Sequence, residues 1–153
     1  MSSAAWLRTV LVVEDDPGDQ MLIEEAFAGL AAVPAHPTLH VVQDGEQALE
    51  FLHRRGDHAE AARPDLVLLD LNLPKRDGRA VLEEIKTDPD LGSIPVVIFT
   101  TSSNPDDVTA TYRRHANAYV TKPTDLDDFT TAVQNINGFF TRTARHPHPP
   151  QAA

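Results

Sequence analysis

Carboxylate, hydroxyl and lysine side chains stand at the ends of the short apolar runs of this sequence, where buried strands would stop. They are Glu14 and Asp15 after the first run, Asp70 at the end of the third, Thr100 after the fourth and Lys122 after the fifth. Carboxylates gathered at one site repel one another, and a divalent cation such as Mg²⁺ relieves that repulsion. An aspartate beside Mg²⁺ can attack phosphorus, while a lysine and a threonine hydroxyl bind the phosphoryl oxygens. These residue types therefore predict phosphoryl transfer to Asp70.

The elements that would position these side chains are five apolar runs, each followed by a segment with helical periodicity. The runs lie at residues 10–13, 39–43, 66–70, 95–99 and 118–120. They are continuous rather than alternating, which is typical of strands covered on both faces. Alternating strands and helices predict an α/β fold with a doubly wound parallel sheet. Sites in such sheets form outside the carboxyl ends of the strands, where the polar residues lie.

Composition excludes several classes of function. The 153 residues, 41% of them hydrophobic, suit one domain with a packed core. A net charge of −10 argues against nucleic-acid binding, because neutralising phosphates needs clustered Lys and Arg. The sequence has no cysteine, which excludes disulfides and thiolate sites. Since there is no signal-peptide pattern and no apolar run of the ~18 residues that a membrane span needs, we expect a cytoplasmic protein without membrane contact.

Four motifs carry a resemblance to a known family. "LVVEDDP", "VLLDLNLP", "VVIFTTS" and "YVTKP" occur in this order, and together they resemble the response-regulator receiver domain of two-component signalling. The resemblance covers roughly residues 9–138. It implies the flavodoxin-like (βα)5 fold with five parallel strands in the order 2-1-3-4-5.

The resemblance also implies a metal site and a phosphoacceptor. Asp70 matches the aspartate that receives the phosphoryl group. Asp15 matches the direct Mg²⁺ ligand, and Glu14 matches the acid that acts on the cation through water. Asn72 matches the position that offers its backbone carbonyl to the metal.

Three further positions match the residues that respond to phosphorylation. Lys122 corresponds to the lysine that contacts the phosphoryl group, and Thr100 to the switch hydroxyl. Tyr119 corresponds to the aromatic residue that swings inward on activation. Phosphorylation would then alter the face made by the fourth helix, the fifth strand and the last helix, which is a local charge event that biases a two-state element.

The chain divides into three predicted parts. Residues 1–8 form an N-terminal segment, residues 9–140 the receiver domain, and residues 141–153 a Pro- and His-rich disordered tail. The tail is too short for an output domain, so we expect the signal to pass to a separate downstream protein.

The last helix carries an apolar seam with heptad-like spacing. One interpretation is that this helix packs on its own sheet. We favour a homodimer, with an interface formed by Phe129, Val133, Ile136 and Phe140.

The stretches "VEDDPGD", "DLNLPKRDG" and "TTSSNPDD", together with the longer loop before the third strand, resemble single-domain regulators that are paired with bacterial phytochromes. This resemblance implies that the phosphodonor is a histidine kinase that senses red and far-red light.

Two other classes of function compete with the signalling hypothesis. The first is a Mg²⁺-dependent phosphatase that forms an aspartyl phosphate. Phosphatases of the haloacid dehalogenase type resemble "DxDx(T/V)" at the nucleophile, but Asn72 stands where their second acid is required. The second is a flavodoxin-like cofactor binder, in which the acids after the first strand would repel the phosphate of FMN.

Overall fold

A five-stranded parallel sheet forms the centre of the molecule. The computed structural model describes residues 7–29 and 37–147, and its strands lie in the order β2-β1-β3-β4-β5. The predicted doubly wound, flavodoxin-like α/β fold and its strand order are therefore confirmed. The strands are β1 (Thr9–Val13), β2 (Thr38–Val42), β3 (Leu66–Leu69), β4 (Val96–Thr100) and β5 (Ala118–Thr121).

Five α-helices alternate with the strands in the described part of the chain. They are α1 (Pro17–Ala28), α2 (Gly45–His53), α3 (Gly78–Thr87), α4 (Pro105–Arg113) and α5 (Leu126–Gly138). Each begins after an Asp or Asn whose side chain accepts a hydrogen bond from a backbone N–H of the first turn. A short 3-10 helix (Gly56–His58) precedes β3. None of the described helices is long and apolar enough to cross a membrane.

The sheet separates two apolar cores. Successive side chains of a strand point to opposite faces, so Leu11 and Val13 enter one core while Val10 and Val12 enter the other. The first core is completed by α2 and α3, and the second by α1 and α5. The inner strands β1, β3 and β4 are buried on both faces, which explains why their sequences are continuously apolar, whereas the edge strands β2 and β5 are only partly buried.

The packed domain extends beyond both predicted boundaries. Leu7 is buried in the core next to α1, so packing begins before residue 9. After α5 the chain continues as a π-helical turn (Phe139–Thr143), in which Thr141 is buried and its hydroxyl donates to Asn137 Oδ1 at 3.3 Å. The start of the predicted disordered tail, residues 141–143, is therefore part of this ordered turn. Residues 148–153 of the predicted tail and residues 1–6 lie outside the described residues.

The predicted dimer seam on α5 needs a correction. Phe129 and Val133 are buried in the molecule's own core, where the Phe129 ring meets the Phe99 ring edge-on at 5.1 Å. They cannot face a second copy, because their apolar surface already covers the sheet. Ile136 and Phe140 are only partly buried against the same core.

Candidate functional site

The carboxyl ends of β1 and β3 bring the predicted acids together. The register pairs Val13 with Leu69, so Glu14 and Asp70 leave the sheet side by side. The Asp70 backbone N–H donates to the Val13 carbonyl at 3.1 Å, which continues the ladder to the acid itself. Glu14, Asp15 and Asp70 each offer a carboxylate oxygen within 4.8 Å of the others. Glu14 and Asp70 are buried, whereas Asp15 is exposed.

Lys122 occupies the centre of this site. Its backbone N–H donates to the Thr100 carbonyl at 2.7 Å, which extends the pairing of β5 with β4 and directs the side chain across the sheet edge. The ammonium Nζ donates to Glu14 Oε1 at 2.6 Å and to Asp70 Oδ2 at 3.1 Å. The lysine side chain is 4% exposed, so these ion pairs are shielded from solvent.

Burial and neighbouring charge shift the pKa values of Glu14 and Lys122. Burial raises the pKa of Glu14 to about 7, although the hydrogen bond and charge of Lys122 act in the opposite direction. Burial also opposes the charged form of Lys122, but hydrogen bonds to Asp19 and Glu14 outweigh it and raise the lysine pKa. The lysine therefore stays cationic while the acids compete for it.

Thr100 is the last residue of β4, one position further into the strand than the sequence pattern predicts. It is fully buried, and its hydroxyl has no hydrogen-bond partner in the described part of the chain. A buried hydroxyl without a partner costs free energy, which is recovered when an acceptor oxygen enters. The predicted switch hydroxyl is thus buried at the same edge of the sheet as Asp70, and it makes no hydrogen bond within the described residues.

Tyr119 connects β5 to the loop after Thr100. Its hydroxyl donates to the Ser102 carbonyl at 2.8 Å, and the ring is partly buried against the core. The Ser102 hydroxyl donates to Asp107 Oδ2 at 2.6 Å, and Asp107 Oδ1 accepts from Arg79 Nη2 at 2.8 Å. A continuous set of hydrogen bonds therefore joins the loop after β4 to α4, α3 and β5.

The loop after Asp70 folds back under the acid. The Asn72 backbone N–H approaches Asp70 Oδ1 at 3.4 Å, while the Asn72 side chain is exposed. The Gly78 N–H donates to the Leu71 carbonyl at 2.9 Å, and a side chain at Gly78 would overlap the Asp70 backbone carbonyl. Asn72 thus lies two residues after the acceptor, where only its backbone was predicted to matter.

One charged residue of the site was missed by the sequence reasoning. Asp19 Oδ2 accepts from Lys122 Nζ at 2.7 Å, closer than Asp70 does. The sequence signal is an acid in the first turn of a helix that starts at the sheet edge, but such acids usually serve the helix dipole. Only the three-dimensional position of Lys122 separates the two roles.

The chemistry of the acidic cluster suits a hard divalent cation. Three carboxylate groups offer oxygen ligands within reach of one ion, and oxygen is the ligand that Mg²⁺ and Mn²⁺ favour. The exposed Asp15 leaves one side open to water, and Mg²⁺ normally keeps several waters. The residues therefore fit the predicted cation.

Comparison with known families agrees with this geometry. The response regulator receiver domain matches residues 10–134. The chain belongs to this family. Membership implies a histidine kinase as its partner, because receiver domains accept phosphoryl groups in two-component signalling, and it leaves the phosphatase hypothesis without support.

One similar protein is a response regulator that the chain covers almost completely. Response regulator Rcp1 of Synechocystis sp. is 45% identical over 140 residues, which cover 92% of this chain and 93% of Rcp1. The Mn²⁺-bound crystal structure of Rcp1 superposes with a TM-score of 0.86, covering 92% of this chain and 99% of that one.

Two solved structures extend this relationship. The phosphorylated cyanobacterial phytochrome response regulator RcpA is 44% identical, with a TM-score of 0.87 and coverage of 93% of this chain and 99% of that one. The bacteriophytochrome response regulator RtBRR is 38% identical, with a TM-score of 0.72 and coverage of 94% and 84%. The predicted resemblance to phytochrome-associated regulators is confirmed.

Proposed function

We propose that Asp70 accepts a phosphoryl group from the phosphohistidine of a sensor histidine kinase. The observation that carries this proposal is the buried Asp70 carboxylate, held by Lys122 Nζ at 3.1 Å beside two further acids that can hold a cation. A buried carboxylate with this environment is an activated nucleophile rather than a turn residue.

The transfer makes one bond and breaks one. An Asp70 carboxylate oxygen forms a bond to phosphorus as the P–N bond of the phosphohistidine breaks, and its electron pair returns to the imidazole nitrogen. Lys122 is placed to bind a phosphoryl oxygen, and the unpartnered Thr100 hydroxyl is available to donate to another. Mg²⁺, held by Glu14, Asp15, Asp70 and the backbone carbonyl of Asn72, would neutralise charge on the phosphoryl group.

The output is a change of surface. When Thr100 turns toward the phosphoryl group, the loop that follows it moves with Ser102, whose contacts reach α4 and Tyr119. The face made by α4, β5 and α5 is therefore the surface that signals to a downstream protein. Phosphorylation changes the charge at Asp70 and thereby shifts this surface between two conformations.

The phosphodonor that we propose is a phytochrome kinase. Support comes from the similarity to RcpA, a cyanobacterial phytochrome response regulator, and to RtBRR, a bacteriophytochrome response regulator.

We further propose that the chain acts in the cytoplasm as a stoichiometric acceptor with slow self-dephosphorylation rather than as a turnover enzyme. A homodimer through the partly buried Ile136 and Phe140 completes the proposal.

The experiment is intact mass spectrometry after incubation with acetyl phosphate, with and without Mg²⁺. We expect one added phosphoryl group that requires both Mg²⁺ and Asp70. Asp70→Asn is the test variant, and Asp57→Asn, an exposed aspartate in the 3-10 helix, is the matched control that should label normally. Labelling of folded Asp70→Asn at the parent level would contradict the assignment.

A further inference from the structure

The lysine of the site has one more acidic partner than phosphoryl transfer requires. An ammonium has three donors, and Lys122 Nζ directs them to Glu14, Asp19 and Asp70 at 2.6, 2.7 and 3.1 Å. The third acid, Asp19, comes from α1 and lies outside the group of acids that can hold a cation. Its contact with the lysine therefore needs its own explanation.

The first turn of α1 aims Asp19 at the lysine. The Asp19 backbone N–H donates to Asp16 Oδ2 at 2.8 Å. Pro17 is the first helical residue, and its ring fixes its own φ at a helical value. The Asp19 side chain is 24% exposed, so its pair with Lys122 is formed at the rim of the buried cluster. A capped helix end thus presents one carboxylate to Nζ.

The other two partners of Lys122 have competing duties. Glu14 and Asp70 belong to the cation cluster, and Asp70 becomes an acyl phosphate when it accepts the phosphoryl group. Both acids would then offer oxygens to the cation or to phosphorus, while Asp19 has no such role. Asp19 is the partner that can keep the ammonium in place throughout the transfer.

We propose that Asp19 is a positioning residue for phosphoryl transfer, which acts by holding the Lys122 ammonium where it meets the phosphoryl oxygens. This inference rests on the proposed function of Asp70. Asp19 touches no reacting atom in this scheme, and its whole effect passes through Lys122.

The test uses the full chain and beryllofluoride, which mimics a phosphoryl group on an aspartate, with affinity measured by calorimetry in the presence of Mg²⁺. Asp19→Asn removes the charge without changing shape, and Asp19→Ala removes both. We expect each variant to weaken beryllofluoride binding by about tenfold, since a hydrogen bond between charged groups is lost. Phosphorylation by acetyl phosphate should slow in parallel.

Two controls separate positioning from simple stabilisation. Asp128→Asn changes an acid at the equivalent place in α5, where the backbone N–H also donates to the cap residue, Asp125; it should bind beryllofluoride like the parent. In a Lys122→Gln background, Asp19→Asn should cause no further loss, because two residues that act through one contact are not additive.

The outcomes decide between the proposals. Unchanged or tighter beryllofluoride binding by Asp19→Asn, whatever its melting temperature, would overturn the positioning role. An equal loss with and without Lys122 would overturn it as well. Either result leaves the phosphoacceptor intact if Asp70→Asn still abolishes labelling, so the two proposals fail separately.

Discussion

At the scale of single residues, the site combines one group whose donors are all used with one hydroxyl that has no partner. Lys122 shares its ammonium among three carboxylates, whereas the buried Thr100 hydroxyl has no partner among the described residues. Both features suit a site that binds a phosphoryl group, because the phosphoryl oxygens can accept hydrogen bonds from Thr100 and from the lysine. In the resting state the unpartnered Thr100 hydroxyl costs free energy, which is recovered when a phosphoryl oxygen binds there.

Thr100→Val tests this view of the switch residue. The change removes a buried unpartnered hydroxyl and keeps its shape, so the unmodified protein should be as stable as the parent or more stable by about 1 kcal/mol. The stabilisation that beryllofluoride adds should shrink, because an acceptor oxygen loses its donor. Thermal unfolding with and without beryllofluoride measures both effects.

Thr111→Val is the matched control for that experiment. Thr111 is equally buried, but its hydroxyl donates to the carbonyls of Asp107 and Val108 at 2.9 and 3.0 Å. Its removal should lower stability without changing the response to beryllofluoride. If Thr100→Val destabilised the resting protein as much as Thr111→Val does, the hydroxyl would have an internal partner and the switch interpretation would be wrong.

At the scale of elements, the strands and helices were predictable because their signals are local. Continuous apolar runs mark the strands, and Asp or Asn followed by Pro or Gly marks several helix starts.

The features that the sequence did not predict depend on contacts between distant parts of the chain. Asp19 was missed because its partner is more than a hundred positions away in the chain, with a separation of 103. Phe129 and Val133 were assigned to a dimer seam because helical spacing alone does not say which surface a seam covers.

The loop between β3 and α3 shows how an element holds the acceptor. Gly78 begins α3, and a Cβ there would overlap the Asp70 carbonyl and come within 2.7 Å of Leu71 Cα. Backbone cannot move aside as a flexible side chain can, so Gly78→Ala should destabilise the fold by about 2 kcal/mol. Chemical denaturation should show this loss, together with slower labelling of Asp70.

Gly18→Ala supplies the comparison. Gly18 lies in the first turn of α1, and a Cβ there meets only the Asp16 carboxylate at 3.2 Å. Alanine is a better helix former than glycine, so this variant should keep or gain stability. Equal stability of the Gly78→Ala and Gly18→Ala proteins would show that the loop does not press against Asp70 as described.

At the scale of the whole molecule, the chemistry lies at one edge and an aromatic surface lies at the end of the last helix. Lys122 ties β5 to β1, β3 and α1, so a change at Asp70 reaches four elements at once. The π-helical turn after α5 exposes Phe139, which is 51% accessible and packs edge-on against Phe140 at 5.1 Å. Exposed aromatic surface of this kind marks interfaces between proteins.

Phe139→Asp is therefore the sharpest test of the proposed homodimer. Phe140 is partly buried against the core and its ring lies 6.3 Å from that of His146, so Phe140→Asp would disturb folding as well as association. Phe139→Asp should leave the melting temperature of the monomer unchanged and weaken association by about tenfold or more, because a buried charge without a partner is costly. Light scattering across a concentration series measures the shift in association.

Met21→Asp, at a residue of α1 that is 59% exposed, is the control and should associate like the parent. If Phe139→Asp and the parent had the same mass at every concentration, the end of α5 would not be the interface, and the exposed ring would be left for a partner other than a second copy.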